Sequence, residues 1–180
     1  MTFFCHPLAK SGEKLYYRGC KWLKVDKLHI GGRKWVIIMF MGQYEHTIDT
    51  KGRIIIPAKY RNELGDTFVI TKGLDGCLFI YPSQEWIDFA DKLMGLSSSQ
   101  NTRRLQRQFL SKAMEVTIDK QGRILIPGLL RESAVLEKDV VFLGMMNRIE
   151  VWDKERLKAE EEIEETAGLD EAMDELGISL

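Results

Sequence analysis

The chain has 180 residues, of which 44% are hydrophobic and 29% are charged, so it is long enough to bury a core and too apolar to be disordered throughout. Its formal net charge of −1 hides a gradient, because residues 1–40 carry +6, residues 41–152 carry +1 and residues 153–180 carry −8. A nearly neutral body excludes nucleic-acid binding through a broad basic surface. Any such contact has to be made by a few well-placed cations.

Three cysteines, Cys5, Cys20 and Cys77, lie far apart without a CxxC pair, so the sequence suggests neither a zinc site nor a disulfide framework. The longest apolar run, residues 35–41, is much shorter than the roughly 18 residues of a membrane helix. The basic first thirty residues contain no apolar core of a secretory signal. These features predict a soluble cytoplasmic protein.

The chain contains an internal repeat with an offset of seventy residues. Residues 45–57 match residues 115–127 at 9 of 13 positions. The correspondence continues through Arg61 and Arg131 and through two later pairs of apolar runs. The sequence therefore consists largely of two copies of one structural unit.

Each copy has the pattern strand, turn, strand, short helix, strand, strand. In the first copy, glycine in the 49–52 turn is placed to adopt a positive φ, Arg53 follows the turn, and Pro57 suits the first helical position. The predicted elements are strands at 44–48, 54–56, 68–71 and 78–81, a helix at 58–64 and a second turn at 73–76. In the second copy we expect Gly144 and Asn147 in the corresponding second turn.

Helices are predicted between and after the copies. Ser83 is the expected N-cap of an amphipathic helix, residues 95–99 break it, and a second helix follows at about 101–112. Asp153 can cap a last, acidic helix that Gly168 ends. The apolar face of the first linker helix comprises Trp86, Phe89, Ala90, Leu93 and Met94. The expected divisions are an N-terminal extension (1–38), repeat 1 (43–86), a helical linker (87–112), repeat 2 (113–157) and an acidic helix and tail (158–180).

Residues 39–46 and the two Asp-x-x-Gly-Arg-x-x-x-Pro motifs together resemble the MraZ family of bacterial transcription regulators, within the AbrB-like swapped-hairpin class. The resemblance covers about residues 39–160. It implies a mainly β, α+β fold in which two AbrB-like repeats pack as an intrachain pseudo-dimeric barrel. It also implies ring-shaped homo-oligomers that bind double-stranded DNA in the nucleoid, at tandem repeats upstream of their own division and cell-wall operon.

The resemblance carries the DNA-contacting role onto Arg53 and Arg123, with Lys51 and the turn glycines Gly52 and Gly122 beside them. An arginine at a rigid hairpin exit loses little rotamer freedom when it pairs with guanine, so the residue type suits the role. Asp49 and Asp119 are interpreted as turn-forming residues, since carboxylates near phosphate are repelled. Gln121 stands where the first copy has Lys51, so we do not expect the two turns to make equal electrostatic contributions.

Residues 1–38 match nothing in the family, and we interpret them as a disordered, non-native extension from a start codon assigned too far upstream of Met39. Because tryptophan has the single codon TGG, Lys34-Trp35-Val36 was encoded by a stretch containing TGGGT. Our hypothesis is that the DNA encoding residues 21–36 is the operator, since the family resemblance implies TGGG-containing direct repeats. Spaced GTGG repeats in the gene sequence would support it.

Other readings are weaker. An antitoxin-like protein-interaction module of the same fold is the alternative function, for which one motif copy and a long tail would be expected. No phosphate-binding loop, catalytic triad or metal cluster is found, so we expect no enzyme, no cofactor, no metal, no membrane contact and no small-molecule substrate. Arg61 and Arg131 on the short helices are interpreted as structural or ion-paired rather than base-reading. The linker residues Arg103, Arg104 and Arg107 are interpreted as an exposed helical face or a subunit contact, with phosphate contacts as the alternative.

Overall fold

The computed structural model describes residues 28–30, 33–35, 39–168, 173 and 176–177. The chain divides into two compact units, residues 1–37 and 38–180. In the first unit, β1 (Leu28–Ile30) pairs antiparallel with β2 (Arg33–Trp35). The interpretation of residues 1–38 as a disordered extension falls almost wholly outside the described residues and stays a prediction.

The second unit combines eight strands with five helices within the described residues. Its strands are β3 (Phe40–Thr47), β4 (Arg53–Ile55), β5 (Thr67–Lys72), β6 (Leu78–Pro82), β7 (Met114–Thr117), β8 (Arg123–Leu125), β9 (Asp139–Met146) and β10 (Ile149–Asp153). Its helices are α1 (Ala58–Leu64), α2 (Ser83–Met94), α3 (Gln100–Leu110), α4 (Gly128–Ser133) and α5 (Lys154–Ala167). The predicted mainly β composition with short helices and two similar repeats is confirmed.

The two copies are joined by strand pairing. A six-stranded sheet has the order β3-β9-β10-β6-β5-β7, and β4 pairs with β8 in a separate two-stranded ribbon. The first strand of each copy therefore pairs inside the other copy, β3 with β9 and β7 with β5, all antiparallel. Neither copy can complete its hydrogen bonding alone, so the repeats form one folded body.

The six-stranded sheet separates two apolar layers, because successive side chains of a strand point to opposite faces. Along β6, Leu78 and Ile80 belong to one core, and Phe79 and Tyr81 belong to the other. The first core also contains the inward side chains of the ribbon and of α1 and α4. The second contains side chains of α2, α3 and α5. The ribbon and the longer helices thus lie on opposite sides of the sheet. Of the described residues, no helix is long and apolar enough to cross a membrane.

Some local predictions are confirmed and others are wrong. Helix 58–64 has the predicted bounds, and Asp153 caps α5 by accepting from the amides of Glu155 and Arg156. Ser83 is not an N-cap: it is the first residue of α2, and its hydroxyl donates to the carbonyl of Thr67. Pro57 and Pro82 occupy the N-cap positions of α1 and α2, because their fixed φ leads an extended segment into a helix.

Met94 and Gly144 also differ from expectation. Met94 is exposed, because α2 ends there and its packed face stops at Leu93. Gly144 lies in β9 opposite Gly42 rather than in the second turn, whose positive φ belongs to Met146. A Cβ on Gly144 would approach the backbone of Phe40 and Met41 to 2.5 Å, so glycine permits close packing of two strands there.

The ends of α1 and α4 show an asymmetry between the copies. Gly65 follows α1 with φ of 75°, and the residue seventy positions later, Val135, follows α4 with φ of 51°. The left-handed conformation costs L-amino acids about 1–2 kcal/mol, and β-branched residues tolerate it least. Val135 is exposed, so no buried contact offsets this cost.

We therefore expect Val135→Gly to raise the free energy of unfolding by about 1 kcal/mol, after allowing for the greater flexibility of glycine in the unfolded chain. Urea denaturation followed by circular dichroism measures it. A comparison variant is Gly65→Val, which should destabilise the protein by more, because Gly65 has φ of 75° and ψ of −171°, a region open essentially to glycine alone, and nothing lies within 4 Å of the added Cβ. If Val135→Gly lowered the free energy of unfolding, the claim that Val135 is strained in the folded protein would be wrong.

Candidate nucleic-acid interface

Asp49 organises the first Arg-containing turn. Its Oδ1 accepts hydrogen bonds from the amides of Lys51 and Arg53, both at 2.9 Å. The backbone closes the same turn, since the amide of Gly52 donates to the carbonyl of Asp49. Gly52 has φ of 80°, as the sequence predicted. The turn-forming role expected of Asp49 is confirmed. These hydrogen bonds fix the backbone conformation of the turn up to Arg53.

The second turn repeats these contacts. Asp119 Oδ1 accepts from the amides of Gln121 and Arg123 at 2.8 and 2.9 Å, and Gly122 has φ of 77°. Such agreement between two segments seventy residues apart shows that the motif itself specifies the geometry. Both arginines therefore leave their turns in the same way.

Each arginine is paired with the aspartate of its own turn. Arg53 Nε and Nη2 approach Asp49 Oδ2 at 2.8 and 2.7 Å, and Arg123 makes the same two contacts with Asp119 at 2.9 and 2.8 Å. The arginine side chains nevertheless remain 34% and 27% exposed, so neither is folded into the core.

The ion pair with aspartate uses the hydrogen-bond donors on one edge of each guanidinium and leaves those on another edge unused. The carboxylate engages the Nε and Nη2 side, whereas the end formed by Nη1 and the second N–H of Nη2 points away from it, because the group is planar. Within the part of the chain that is described, Nη1 of Arg53 and of Arg123 donates no hydrogen bond, whereas Nε of each donates to the aspartate of its turn. A guanidinium that is hydrogen-bonded along one edge directs the N–H groups of its other edge in a fixed direction.

The ribbon puts both arginines on one face. Arg53 is opposite Leu125 and Ile55 is opposite Arg123, while Ile54 and Ile124 face the core between them. Directly paired residues and residues two apart share a face, so Arg53 and Arg123 lie diagonally, about 7–8 Å apart at Cα. Their turns leave from opposite ends of the ribbon, as a two-fold arrangement requires.

The helix arginines buttress the turns of the opposite copy. A Cβ on Gly122 would clash with the guanidinium carbon of Arg61, and a Cβ on Gly52 would meet that of Arg131 at 2.8 Å. Arg61 also donates from Nε to the carbonyl of Ile56 at 2.8 Å. The structural role predicted for Arg61 and Arg131 agrees with these contacts. Both turn glycines are buried, which gives them a structural role as well.

Lys51 is exposed at the first turn, and the equivalent Gln121 is exposed at the second. Sequence reasoning missed Lys120, which is exposed one position earlier in the second turn, so each turn carries one lysine. It also missed Ile55 and Leu125, whose exposure is visible only once the ribbon is paired. Alignment of the two repeats could have identified Lys120, because it lies in the second turn one position before Gln121.

Other residues considered from sequence lie elsewhere. Arg103, Arg104 and Arg107 are exposed on α3, across the sheet from the ribbon. Trp86 packs with Phe89 and Tyr81 in the second core. His46 contacts Phe142 edge-on, and burial, followed by the charge of Arg61, lowers the pKa of His46. Cys77 is buried, and burial raises the pKa of its thiol to about 12, which leaves the thiol unreactive at neutral pH.

Three proteins of similar sequence carry the same name, that of a transcriptional regulator. The chain is 56% identical over 118 residues to "Transcriptional regulator MraZ" of Lachnoclostridium phytofermentans, covering 66% of this chain and 84% of that protein. It is 54% identical over 146 residues to the protein of that name from Halothermothrix orenii, covering 78% of this chain and all of the relative. The relative from Thermoanaerobacter pseudethanolicus is 59% identical over 118 residues, covering 65% of this chain and 82% of its own. These relatives are named as transcriptional regulators, not as enzymes.

A family profile matches the chain twice. The family described as "MraZ protein, putative antitoxin-like" matches residues 39–108 and again residues 109–175. The chain belongs to the MraZ family, and the two matches contain one Asp-x-x-Gly-Arg turn each.

The aspartates make stability depend on pH. Hydrogen bonds from the backbone amide and then the side chain of Arg53 lower the pKa of Asp49 to about 2, and the side chain and then the amide of Arg123 lower the pKa of Asp119. A carboxylate with a lowered folded-state pKa stabilises the fold above its unfolded value, near 4, and loses that stabilisation as pH falls toward 2.

We expect the unfolding free energy of the native protein to fall more steeply between pH 4 and pH 2 than that of Asp49→Asn/Asp119→Asn. Asparagine still accepts the amide hydrogen bonds and carries no charge, so the difference isolates ionisation. Urea midpoints at pH 5, 4, 3 and 2 provide the measurement. Parallel curves would show that the pairing does not favour the carboxylates.

Proposed function

We propose that the chain is a sequence-specific regulator that binds double-stranded DNA through Arg53 and Arg123. The supporting observation is the pair of aspartate-held guanidiniums that lie diagonally on one exposed ribbon face. An arginine with two adjacent N–H groups directed outward matches O6 and N7 of guanine, which is worth about 1–3 kcal/mol of discrimination. The transcriptional role named for the relatives fits this chemistry.

The ribbon is the part of the molecule that suits the major groove. A two-stranded β-ribbon fits that groove with one face toward the base edges. Lys51 and Lys120 flank it at opposite ends and are placed to contact phosphates. The turn glycines Gly52 and Gly122 contribute by shaping the loops that hold the arginines.

Two arginines make few contacts, so we propose that affinity comes from several copies acting together. A ring-shaped homo-oligomer in the nucleoid, on tandem repeats upstream of its own division and cell-wall operon, would make later binding events intramolecular. We place the fold in the swapped-hairpin, AbrB-like class with an intrachain pseudo-dimeric barrel. The exchange of β3 and β7 between the copies supports this.

The double variant Arg53→Lys/Arg123→Lys tests the assignment. It keeps both charges and loses the planar fork, so specific binding should fall at least tenfold while nonspecific binding persists. Gel shifts compare a duplex containing the DNA that encodes residues 1–38 and its upstream flank with a shuffled duplex of equal length.

Arg104→Lys/Arg107→Lys is the matched control, because these exposed arginines lie across the sheet. Unchanged specific binding by the ribbon variant, with a folded circular dichroism spectrum, would refute the role of the two arginines. Failure of the native protein to bind either duplex would instead favour a protein-interaction module.

A further inference from the structure

The face that carries the arginines also carries two exposed aliphatic side chains. Ile55 is 43% exposed and Leu125 is 57% exposed, whereas their neighbours Ile54 and Ile124 are buried. Ile55 and Leu125 occupy equivalent positions in the two copies, seventy residues apart. Single exposed aliphatic residues are ordinary, so the inference depends on where this pair lies.

Pairing arranges the four side chains as two crossed diagonals. Arg53 and Arg123 form one diagonal, and Ile55 and Leu125 form the other, about 7–8 Å apart. Each guanidinium is drawn back toward the aspartate of its own turn, and the turns leave from opposite ends of the ribbon. The aliphatic side chains, each directly opposite one of the arginines, are therefore left uncovered on this face.

Resting on the proposed function, we infer that Ile55 and Leu125 determine specificity by contacting thymine methyl groups. In the major groove, the C5-methyl of thymine is the apolar group that base edges present, and aliphatic side chains read it by contact. A ribbon whose arginines reach guanines directs the aliphatic side chains opposite those arginines at the neighbouring bases. The bound sequence therefore combines guanines with thymines.

Replacing thymine by deoxyuridine removes that methyl group and leaves base pairing unchanged. Thymines of the bound duplex are replaced one at a time, and dissociation constants are compared for the native protein. We expect binding about fourfold weaker at each contacted thymine, the equivalent of burying one methyl group. Thymines outside the contacted positions serve as internal controls.

Ile55→Ala/Leu125→Ala should bind the thymine duplex more weakly and lose its sensitivity to deoxyuridine. Both positions are exposed, so unfolding midpoints should hardly change. Ile87→Ala/Met94→Ala is the matched control, because these residues are also exposed aliphatic or thioether side chains but lie on α2, across the sheet. It should retain the native response to deoxyuridine.

The outcomes separate the two proposals. Binding that depends on Arg53 and Arg123 but is equal for thymine and deoxyuridine overturns the methyl contact and leaves the proposed function intact. An Ile55→Ala/Leu125→Ala protein that changes its mass in light scattering and keeps the native deoxyuridine response shows that the pair joins copies of the chain, which also overturns the inference. Absence of DNA binding by the native protein removes both.

Discussion

Three antiparallel residue pairs between β4 and β8 fix the position of everything proposed to touch DNA. The ribbon is extended by reciprocal hydrogen bonds from the amide of Ile56 to the carbonyl of Gly122 and from Ile126 to Gly52. Each copy thus supplies one strand and holds the turn of the other. Because β3 and β7 are also exchanged, both copies contribute to the six-stranded sheet as well as to the ribbon. The spacing of the two arginines therefore depends on both copies.

The aspartate of each turn has two effects, one on the geometry of the turn and one on its charge. It closes the turn and holds the guanidinium on one edge, which limits the entropy lost when the other edge binds. It also neutralises the arginine, and because the pKa of Asp49 is lowered to about 2, this carboxylate stays charged well into the acid range. The net positive charge of each turn therefore comes from its lysine, Lys51 or Lys120. Arginine suits base discrimination and lysine suits attraction to phosphate.

Short helices and turns could be predicted from the sequence because a few residues determine each of them. The proline before α1 and Gly65 after it set the bounds of that helix, and Asp49 with Gly52 sets the turn. Pairing between copies was not readable in detail, because a repeat shows that two segments fold alike without showing which strands exchange. The exposure of Ile55 and the Asp49–Arg53 contact follow from that pairing and from side-chain direction. Ser83 failed as a cap because its hydroxyl bonds to Thr67, distant in sequence.

The three layers explain how a chain with a net charge of −1 can present a cationic surface. The acidic helix α5 packs through Leu157 into the second core, on the side of the sheet opposite the ribbon. The sheet and its two cores lie between α5 and the ribbon, so charges on α5 are farther from Arg53 and Arg123 than the turn lysines are. Because Coulomb energy falls with distance, the acidic helix acts less strongly on these arginines than the lysines do. The sign of the local field at the ribbon, set by the turn lysines, matters more than the total.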